Sequence, residues 1–206
     1  PGTYRPIAVW RKGQLDGLDL DKAGVAHVLA VKVDASLRTS NRRVYAIGDA
    51  AGGLQFTHVA GYHASVIIRS MLFGLPSRAR TDHIPWATYT DPELAQVGLT
   101  EAEARDRHGA KLEVVRFQYA ANDRAVVARG RPVGASIAGA QAGELIGVWA
   151  LAIANRLKVS QVAAMVAPYP TLGEVNKRVA GAYFTPRLFE NPTVKRIVGF
   201  VQRWLP

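Results

Sequence analysis

The chain has 206 residues, of which 49% are hydrophobic and 20% are charged. These values suit one medium domain or two small ones with hydrophobic cores, and they exclude a disordered chain. No apolar run reaches the roughly 20 residues of a membrane span, and we expect no signal peptide. Because there is no cysteine, we predict neither disulfides nor thiolate metal sites, and we expect a cytoplasmic location.

The formal net charge is +10, from 26 Lys and Arg against 16 Asp and Glu. A charge of this sign can serve a nucleic acid or an anionic membrane. Here the cations are scattered, with no dense basic run and no interleaved aromatic residues, so we expect no nucleic-acid partner. The histidines lack ligand spacing as well, since His58 and His63 are five residues apart and do not align on one helix face. We therefore predict no metal site.

The first part of the chain combines short strands with one long helix. Alternation and apolar runs predict strands at residues 31–34 and 44–47. A helix is predicted over residues 58–73, with Gly74 as its stop. The polar and basic stretch 76–85 has proline at both ends, which indicates a linker. We therefore place a domain boundary there.

The second part mixes strands and helices without strict alternation, which favours an α+β domain behind a piece of an α/β domain. The predicted strands are residues 86–90, 112–119 and 133–140, and the predicted helices are residues 143–157, 160–166 and 191–205. Thr100 with Glu103, and Thr171 with Glu174, have the spacing of capping boxes at two further helix starts. Asn191 before Pro192 is a good start for the last helix.

The end of the predicted strand 44–47 is the first candidate site. A strand that ends in Gly48-Asp49 places a carboxylate at the sheet edge where open α/β sheets bind ligands. Gly48 allows close approach of a ligand, and Asp49 can accept hydrogen bonds from a sugar or ribityl chain. Residues 55–58 then open a helix, whose N–H groups suit an anion or an electron-rich ring edge. On spacing alone, a loop in which Asp49 is only a turn or cap residue explains the pattern better.

Several motifs resemble the class I pyridine nucleotide-disulfide oxidoreductases, the family of dihydrolipoamide dehydrogenase, glutathione reductase and mercuric reductase. The motifs similar to the family's second FAD motif are Arg38-Thr39-Ser40, Val44-Tyr45-Ala46-Ile47-Gly48-Asp49 and Phe56-Thr57-His58. Residues 86–101 resemble the opening of the dimerisation domain, and residues 134–137 and 143–146 resemble its central strand and helix. The resemblance runs from about residue 7 to residue 184. The chain is thus identified as the C-terminal portion of a member of this family.

The resemblance implies an α+β dimerisation domain with an antiparallel sheet at residues 84–206. It implies that residues 1–80 end an α/β FAD/NAD(P)-binding region. Asp49 would bind the ribityl chain of FAD, and the backbone of residues 55–58 would lie against the isoalloxazine edge. The implied cofactor-binding residues are Gly48, Asp49, Gln55, Phe56, Thr57 and His58. The parent enzyme would be a homodimer that passes electrons from NAD(P)H through FAD to a disulfide, a metal ion or another small-molecule acceptor.

The resemblance also implies two catalytic residues, Tyr169 and Glu174. In lipoamide and glutathione reductases the matching residues are a His, which exchanges a proton with the active-site thiols, and a Glu, which orients it. In this family the loop that carries them reaches the active site of the partner subunit. Tyrosine, with an unperturbed pKa near ~10, is a poor base at neutral pH, and mercuric reductases also have Tyr there. Each residue has a structural interpretation too, because Glu174 fits a capping box and Tyr169 fits packing at a dimer interface.

Several family features are absent from the sequence. The redox-active cysteine pair and the Gly-rich dinucleotide motifs are missing, so we expect that the chain alone cannot catalyse the full reaction. The alternative function is a non-catalytic homodimerisation module. By the family pattern, the region 122–133 is also short by about a strand and a turn, which would cost the interface sheet one member.

The last predicted helix carries Lys195, Arg196 and Arg203 beside an apolar face. Peripheral membrane binding is one interpretation of this pattern. We expect instead that the apolar face packs on the dimer-interface domain, and we predict no membrane partner.

Overall fold

The computed structural model describes residues 13–118, 122–168 and 170–204. The chain divides into two compact units, Pro1–Arg80 and Thr81–Pro206, so the division falls inside the stretch 76–85. Within the described ranges, no helix is long and apolar enough to cross a membrane. The same ranges contain no group of three or more His, Cys, Asp or Glu that could hold a metal ion.

The first unit has a small apolar core rather than a regular sheet. Its buried side chains are Val25, Val31 and Ala46. The prediction of strands at residues 31–34 and 44–47 is wrong for the described part of this unit. Each segment there makes one isolated bridge, His27 with Val31 and Arg38 with Tyr45. A regular strand needs hydrogen-bonded neighbours along its length, and the described residues of this unit supply single bridges only.

A short turn and a long helix follow these bridges. Gly48–Ala51 form a 3₁₀ turn, and helix α1 spans Thr57–Phe73. Gly74 ends α1 in the left-handed conformation with φ 62°. The predicted helix and its glycine stop are therefore confirmed, because a glycine adopts this conformation without the steric cost of a Cβ.

The second unit contains a five-stranded antiparallel sheet. The strands are β1 (Trp86–Thr88), β2 (Leu94–Gly98), β3 (Leu112–Gln118), β4 (Asn122–Ala128) and β5 (Arg131–Ala138). Their order across the sheet is β1-β2-β5-β4-β3. The sequence predicted strands that correspond to β1, β3 and β5, but it predicted no strand at the positions of β2 and β4. With the helices below, this sheet confirms the predicted α+β class.

Strand β4 lies in the region 122–133, where the sequence has fewer residues than the family pattern. The sheet does not lack a strand there, because β4 pairs with both β3 and β5. Arg129 and Gly130 connect β4 to β5, and both have positive φ, 51° and 72°. Two residues with this backbone geometry join antiparallel strands directly. A short connection is therefore compatible with a complete five-stranded sheet.

Seven helices of the second unit are described. They are α2 (Glu101–His108), α3 (Ala142–Leu145), α4 (Gly147–Ala154), α5 (Val159–Ala163), α6 (Glu174–Ala182), α7 (Thr185–Phe189) and α8 (Pro192–Trp204). The capping box of Thr100 and Glu103 is confirmed at the start of α2. The start of α8 is confirmed as well, since the Thr193 N–H donates to Asn191 Oδ1 at 2.9 Å. The predicted helix 143–157 is divided at Ile146 into α3 and α4.

A buried hydrogen-bond chain ties three of these helices together. Trp149 on α4 is 1% exposed, and its Nε1–H donates to Asn176 Oδ1 on α6 at 2.7 Å. The Asn176 amide nitrogen donates in turn to the Leu145 carbonyl at the end of α3, at 3.1 Å. Asn176 is also 1% exposed, so these protein partners replace water. One amide thereby fixes the helical layer that packs on the sheet.

We expect Asn176→Leu to lower the free energy of unfolding of the second unit by about 1–3 kcal/mol. Leucine has a similar shape but no oxygen, so the Trp149 indole N–H would be buried without an acceptor. Urea unfolding followed by circular dichroism measures the change. The control is Asn155→Ala, because the Asn155 side chain is exposed where it bonds the Leu151 carbonyl. The control is expected to stay within about 0.5 kcal/mol of the parent, and equal losses in both variants would contradict the prediction.

Candidate functional site

Gly48 lies at the centre of the predicted FAD-contacting segment. It is buried, its φ is 54°, and it opens the 3₁₀ turn Gly48–Ala51 against α1. A Cβ at this position would come within 2.8 Å of the Ala60 Cβ. Both the backbone conformation and the close approach of α1 therefore require glycine here.

His63 on α1 holds this glycine in place. The Gly48 N–H donates to His63 Nδ1 at 3.1 Å, and His63 is only 7% exposed. The acceptor nitrogen must be unprotonated, so the neutral ring carries its proton on Nε2. Burial lowers the pKa of His63, which favours the same neutral form. The residue directly before Asp49 is thus fixed by a neutral imidazole.

The sequence analysis considered His63 only as a metal ligand and missed this role. The signal that could have found it is spacing, because Val59, His63 and Val66 are the buried residues of α1 and recur at helical intervals. A histidine in a buried stripe needs a hydrogen-bond partner. The partner itself, a backbone N–H fifteen residues away, carries no sequence signal.

The backbone of Asp49 is held in a turn, whereas its carboxylate accepts no hydrogen bond within the described ranges. Its carbonyl accepts from the Gly52 N–H at 3.1 Å, which closes the turn. Its side chain is partly exposed, and within the described ranges no group donates a hydrogen bond to it. Gly52 and Gly53 follow with φ 74° and 78°. The turn therefore presents a carboxylate beside a stretch of backbone that carries no side chains.

The start of α1 has no acidic cap of its own. Phe56 is the N-cap residue, makes no side-chain cap hydrogen bond, and is followed by a first turn without Asp or Glu. The rings of Phe56 and His58 stack at a centroid distance of 5.3 Å and an angle of 7°. Thr57 and His58 are exposed, and Gln55 is partly exposed. The partial positive charge of the helix start is thus not neutralised by a carboxylate from its own first turn.

The two predicted catalytic residues belong to the second unit. Tyr169 lies outside the described residues. Glu174 is the first residue of α6, and its carboxylate pairs with Arg178 at 3.1 Å. The predicted capping box with Thr171 is wrong, since the Thr171 hydroxyl donates to the Pro168 carbonyl and Gly173 is the N-cap. The helix begins two residues later than a box would require, because a box needs Glu at the third helical position.

We expect the protection of the Gly48 amide against hydrogen exchange to depend on pH through His63. The folded pKa of His63 lies below its ordinary value of 6.5. The unfolded chain therefore takes up the proton first as pH falls. The stabilisation from neutral His63 is complete above about pH 6.5 and is lost as pH falls through the folded pKa.

Two variants separate the hydrogen bond from the titration. Asn offers Oδ1 near the position of Nδ1 and does not titrate, so His63→Asn is expected to keep protection and to flatten its pH dependence. His63→Leu removes the acceptor and is expected to lower protection by about 1–3 kcal/mol above about pH 6.5, with a smaller difference from the parent as pH falls. Mass-spectrometric hydrogen exchange between pH 5 and 8 measures both. If the Leu variant retained the protection of the parent, the proposed bond would be without effect.

Dihydrolipoyl dehydrogenases are similar to this chain in sequence. The enzyme of Bacillus subtilis (strain 168) is 32% identical over 186 residues, a match that covers 83% of this chain and 40% of the relative. The enzyme of Buchnera aphidicola subsp. Acyrthosiphon pisum (strain APS) is 33% identical over 184 residues, covering 82% and 38%. The chain therefore spans about 40% of the length of the curated relatives it matches.

Two solved structures have a similar fold. The HOCl-induced flavoprotein disulfide reductase RclA of Escherichia coli, in its Cu(II) complex, superposes with a TM-score of 0.76 at 26% identity. That match covers 84% of this chain and 43% of RclA. LpdA of Mycobacterium tuberculosis gives a TM-score of 0.76 at 24% identity, covering 82% and 40%, and supports the fold alone.

Two family models match the two units of the chain. The model described as pyridine nucleotide-disulphide oxidoreductase matches residues 6–64, which include Gly48, Asp49 and the start of α1. The model described as its dimerisation domain matches residues 84–133 and again 127–180, so its two segments overlap in the hairpin of β4 and β5. These matches confirm the resemblance inferred from the sequence motifs. The chain belongs to the pyridine nucleotide-disulphide oxidoreductase family.

Proposed function

We propose that this chain is part of an FAD-dependent NAD(P)H oxidoreductase and that its first unit forms one side of the FAD site. The proposal rests on the exposure and the hydrogen bonding of the Asp49 carboxylate. Its carboxylate is partly exposed and accepts no hydrogen bond within the described ranges, while its backbone is held by a closed turn. A carboxylate fixed in this way is ready to accept hydrogen bonds from the hydroxyls of a polyol chain.

The residues present fit two parts of FAD. Asp49 suits the ribityl hydroxyls, and the start of α1 suits the electron-rich edge of the isoalloxazine ring. Gly48 lets the turn pack under α1 without a side chain in the way. The residues proposed to hold FAD are Gly48 and Asp49 with the backbone of Gln55, Phe56, Thr57 and His58. When bound, FAD supplies the electron-transfer chemistry, and the protein supplies position and electrostatics.

The chain's own groups would act on the cofactor through fixed charge and geometry. The neutral His63 holds Gly48, and Gly48 fixes the direction in which Asp49 leaves the turn. With FAD bound as proposed, the start of α1 would bring the positive end of a 17-residue helix to the ring edge, where it would favour negative charge. These effects need no movement of the protein when electrons arrive, because the groups are already in place.

We also propose a homodimer, in which Tyr169 and Glu174 serve the active site of the partner subunit. The match to a dimerisation domain supports this arrangement. In that role Tyr169 acts as a hydrogen-bond or proton donor rather than a base, given the pKa of ~10 of an ordinary phenol. Glu174 would be oriented by Arg178. The electrons would come from NAD(P)H and pass to a disulfide, a metal ion or another small acceptor, in the cytoplasm.

The test is the absorbance spectrum and the solution mass of the purified chain after incubation with FAD. We expect a mass of twice 22.3 kDa and a flavin spectrum that remains after gel filtration. Asp49→Asn is expected to weaken FAD binding about ten- to hundredfold, because the negative charge is lost and one of the two acceptor oxygens is replaced by a donor.

The matched control is Asp21→Asn, which makes the same chemical change at a carboxylate that is 97% exposed. FAD affinity equal to that of the parent in Asp49→Asn would remove Asp49 from the proposed site. A dimer that retains no flavin would favour the alternative, a homodimerisation module without a cofactor. A monomer would contradict the proposed assembly.

A further inference from the structure

Helix α8 exposes a row of apolar side chains. Ile197, Val198 and Val201 are 57%, 46% and 41% exposed, and α8 contacts α7. At about 100° per residue, these three positions lie on one face of the helix. Our expectation that this face packs on the dimer-interface domain is therefore wrong for the described residues. An exposed apolar row of this kind marks an interaction surface.

The opposite face of α8 is cationic. Lys195, Arg196 and Arg203 are all exposed, and residues 191–206 contain no Asp or Glu. The same angular spacing places these three cations on the side away from Ile197 and Val201. The helix thus separates apolar groups from positive charge, with no carboxylate of its own to balance that charge.

The shared family domain ends before this helix. The match to the dimerisation domain stops at residue 180, whereas α8 begins at Pro192. The matched domain therefore does not include the exposed apolar row on α8.

We propose that α8 binds an anionic lipid surface. Lying in the plane of the interface, it would bury Ile197, Val198 and Val201 at the boundary of the acyl chains. Lys195, Arg196 and Arg203 would remain near the phosphate groups. The helix has 13 residues, well below the roughly 20 needed to span a bilayer, so it can lie on a membrane but not cross it.

Charge complementarity favours an anionic lipid surface over a second copy of the chain as the partner of α8. A second copy of α8 could cover the apolar row, but it would leave the three cations on the other side of the helix without a counter-charge, because residues 191–206 contain no Asp or Glu. An anionic lipid surface is instead complementary to both faces of the helix at once. The attraction of the cations also predicts that binding weakens as salt rises.

The experiment is co-sedimentation of the full chain with vesicles of phosphatidylcholine alone and of phosphatidylcholine with phosphatidylglycerol. We expect binding to the anionic vesicles, little binding to the neutral ones, and release at high salt. The charge variant is Lys195→Gln, Arg196→Gln and Arg203→Gln combined. Its matched control is Arg107→Gln, Lys111→Gln and Arg131→Gln combined, three exposed cations elsewhere in the second unit. We expect the charge variant to bind the anionic vesicles at least about tenfold more weakly than the parent, and the control to bind them as the parent does.

A second pair of variants tests the apolar row without changing the charge. Ile197→Ser with Val201→Ser is expected to lower binding at least about fivefold. Leu151→Ser with Val166→Ser removes side chains that are 61% and 90% exposed outside α8, and is expected to leave binding unchanged. Circular dichroism melts check that each variant is folded.

Three results would overturn the proposal. They are equal binding to neutral and anionic vesicles, absence of binding to both, and anionic binding that survives both α8 variants. If the Ile197→Ser, Val201→Ser variant instead turns a dimer into a monomer while vesicle binding persists, the apolar row is an interface between copies. The FAD spectrum is recorded in parallel, because this proposal is independent of the cofactor site and stands or falls separately from it.

Discussion

The second unit depends on one buried amide. Asn176 accepts from the Trp149 indole and donates to the Leu145 carbonyl; Trp149 and Asn176 are buried, and Leu145 is partly buried. A buried polar group is tolerated only when it is fully paired, so the three helices have a single relative position that satisfies it. Apolar contacts among Trp149, Ile146 and the sheet supply most of the stabilisation. The amide selects which packing of those contacts is allowed.

In the first unit a buried polar group is likewise paired by hydrogen bonding, although the apolar core is much smaller. Gly48 has no side chain with which to pack, so its position is set from outside by the ring of His63 and by the close approach of Ala60. The backbone of the turn that carries Asp49 is held by two hydrogen bonds, from the Gly48 N–H to His63 and from the Gly52 N–H to the Asp49 carbonyl. Rigidity at this point is what the proposed role requires, because a carboxylate that binds a polyol must already point in the right direction. A neutral histidine is suited to this position, since a buried charge would be costly there.

The two units have different relations to the proposed reaction. The first would contribute directly to the flavin site through Asp49 and the start of α1. The second contains the dimerisation-domain fold, and its contribution through Tyr169 and Glu174 would depend on a partner subunit. Helix α8 belongs to the second unit but follows the matched domain, and it separates apolar from cationic side chains.

The sequence by itself determined the family, the α+β class, helix α1 with its Gly74 stop, the capping box of α2 and the start of α8. All of these rest on local patterns, such as capping spacing or a motif read along a few residues. It did not determine whether residues 31–34 and 44–47 form strands, because pairing depends on neighbours that are distant in the chain. It did not show that Glu174 pairs with Arg178 instead of closing a capping box; in the structure the Thr171 hydroxyl bonds the Pro168 carbonyl and α6 begins at Glu174. The hydrogen-bond partners of His63 and Asn176 were decided only by the tertiary structure. A buried polar group has no access to water, so it must bond to a protein atom that folding brings close to it.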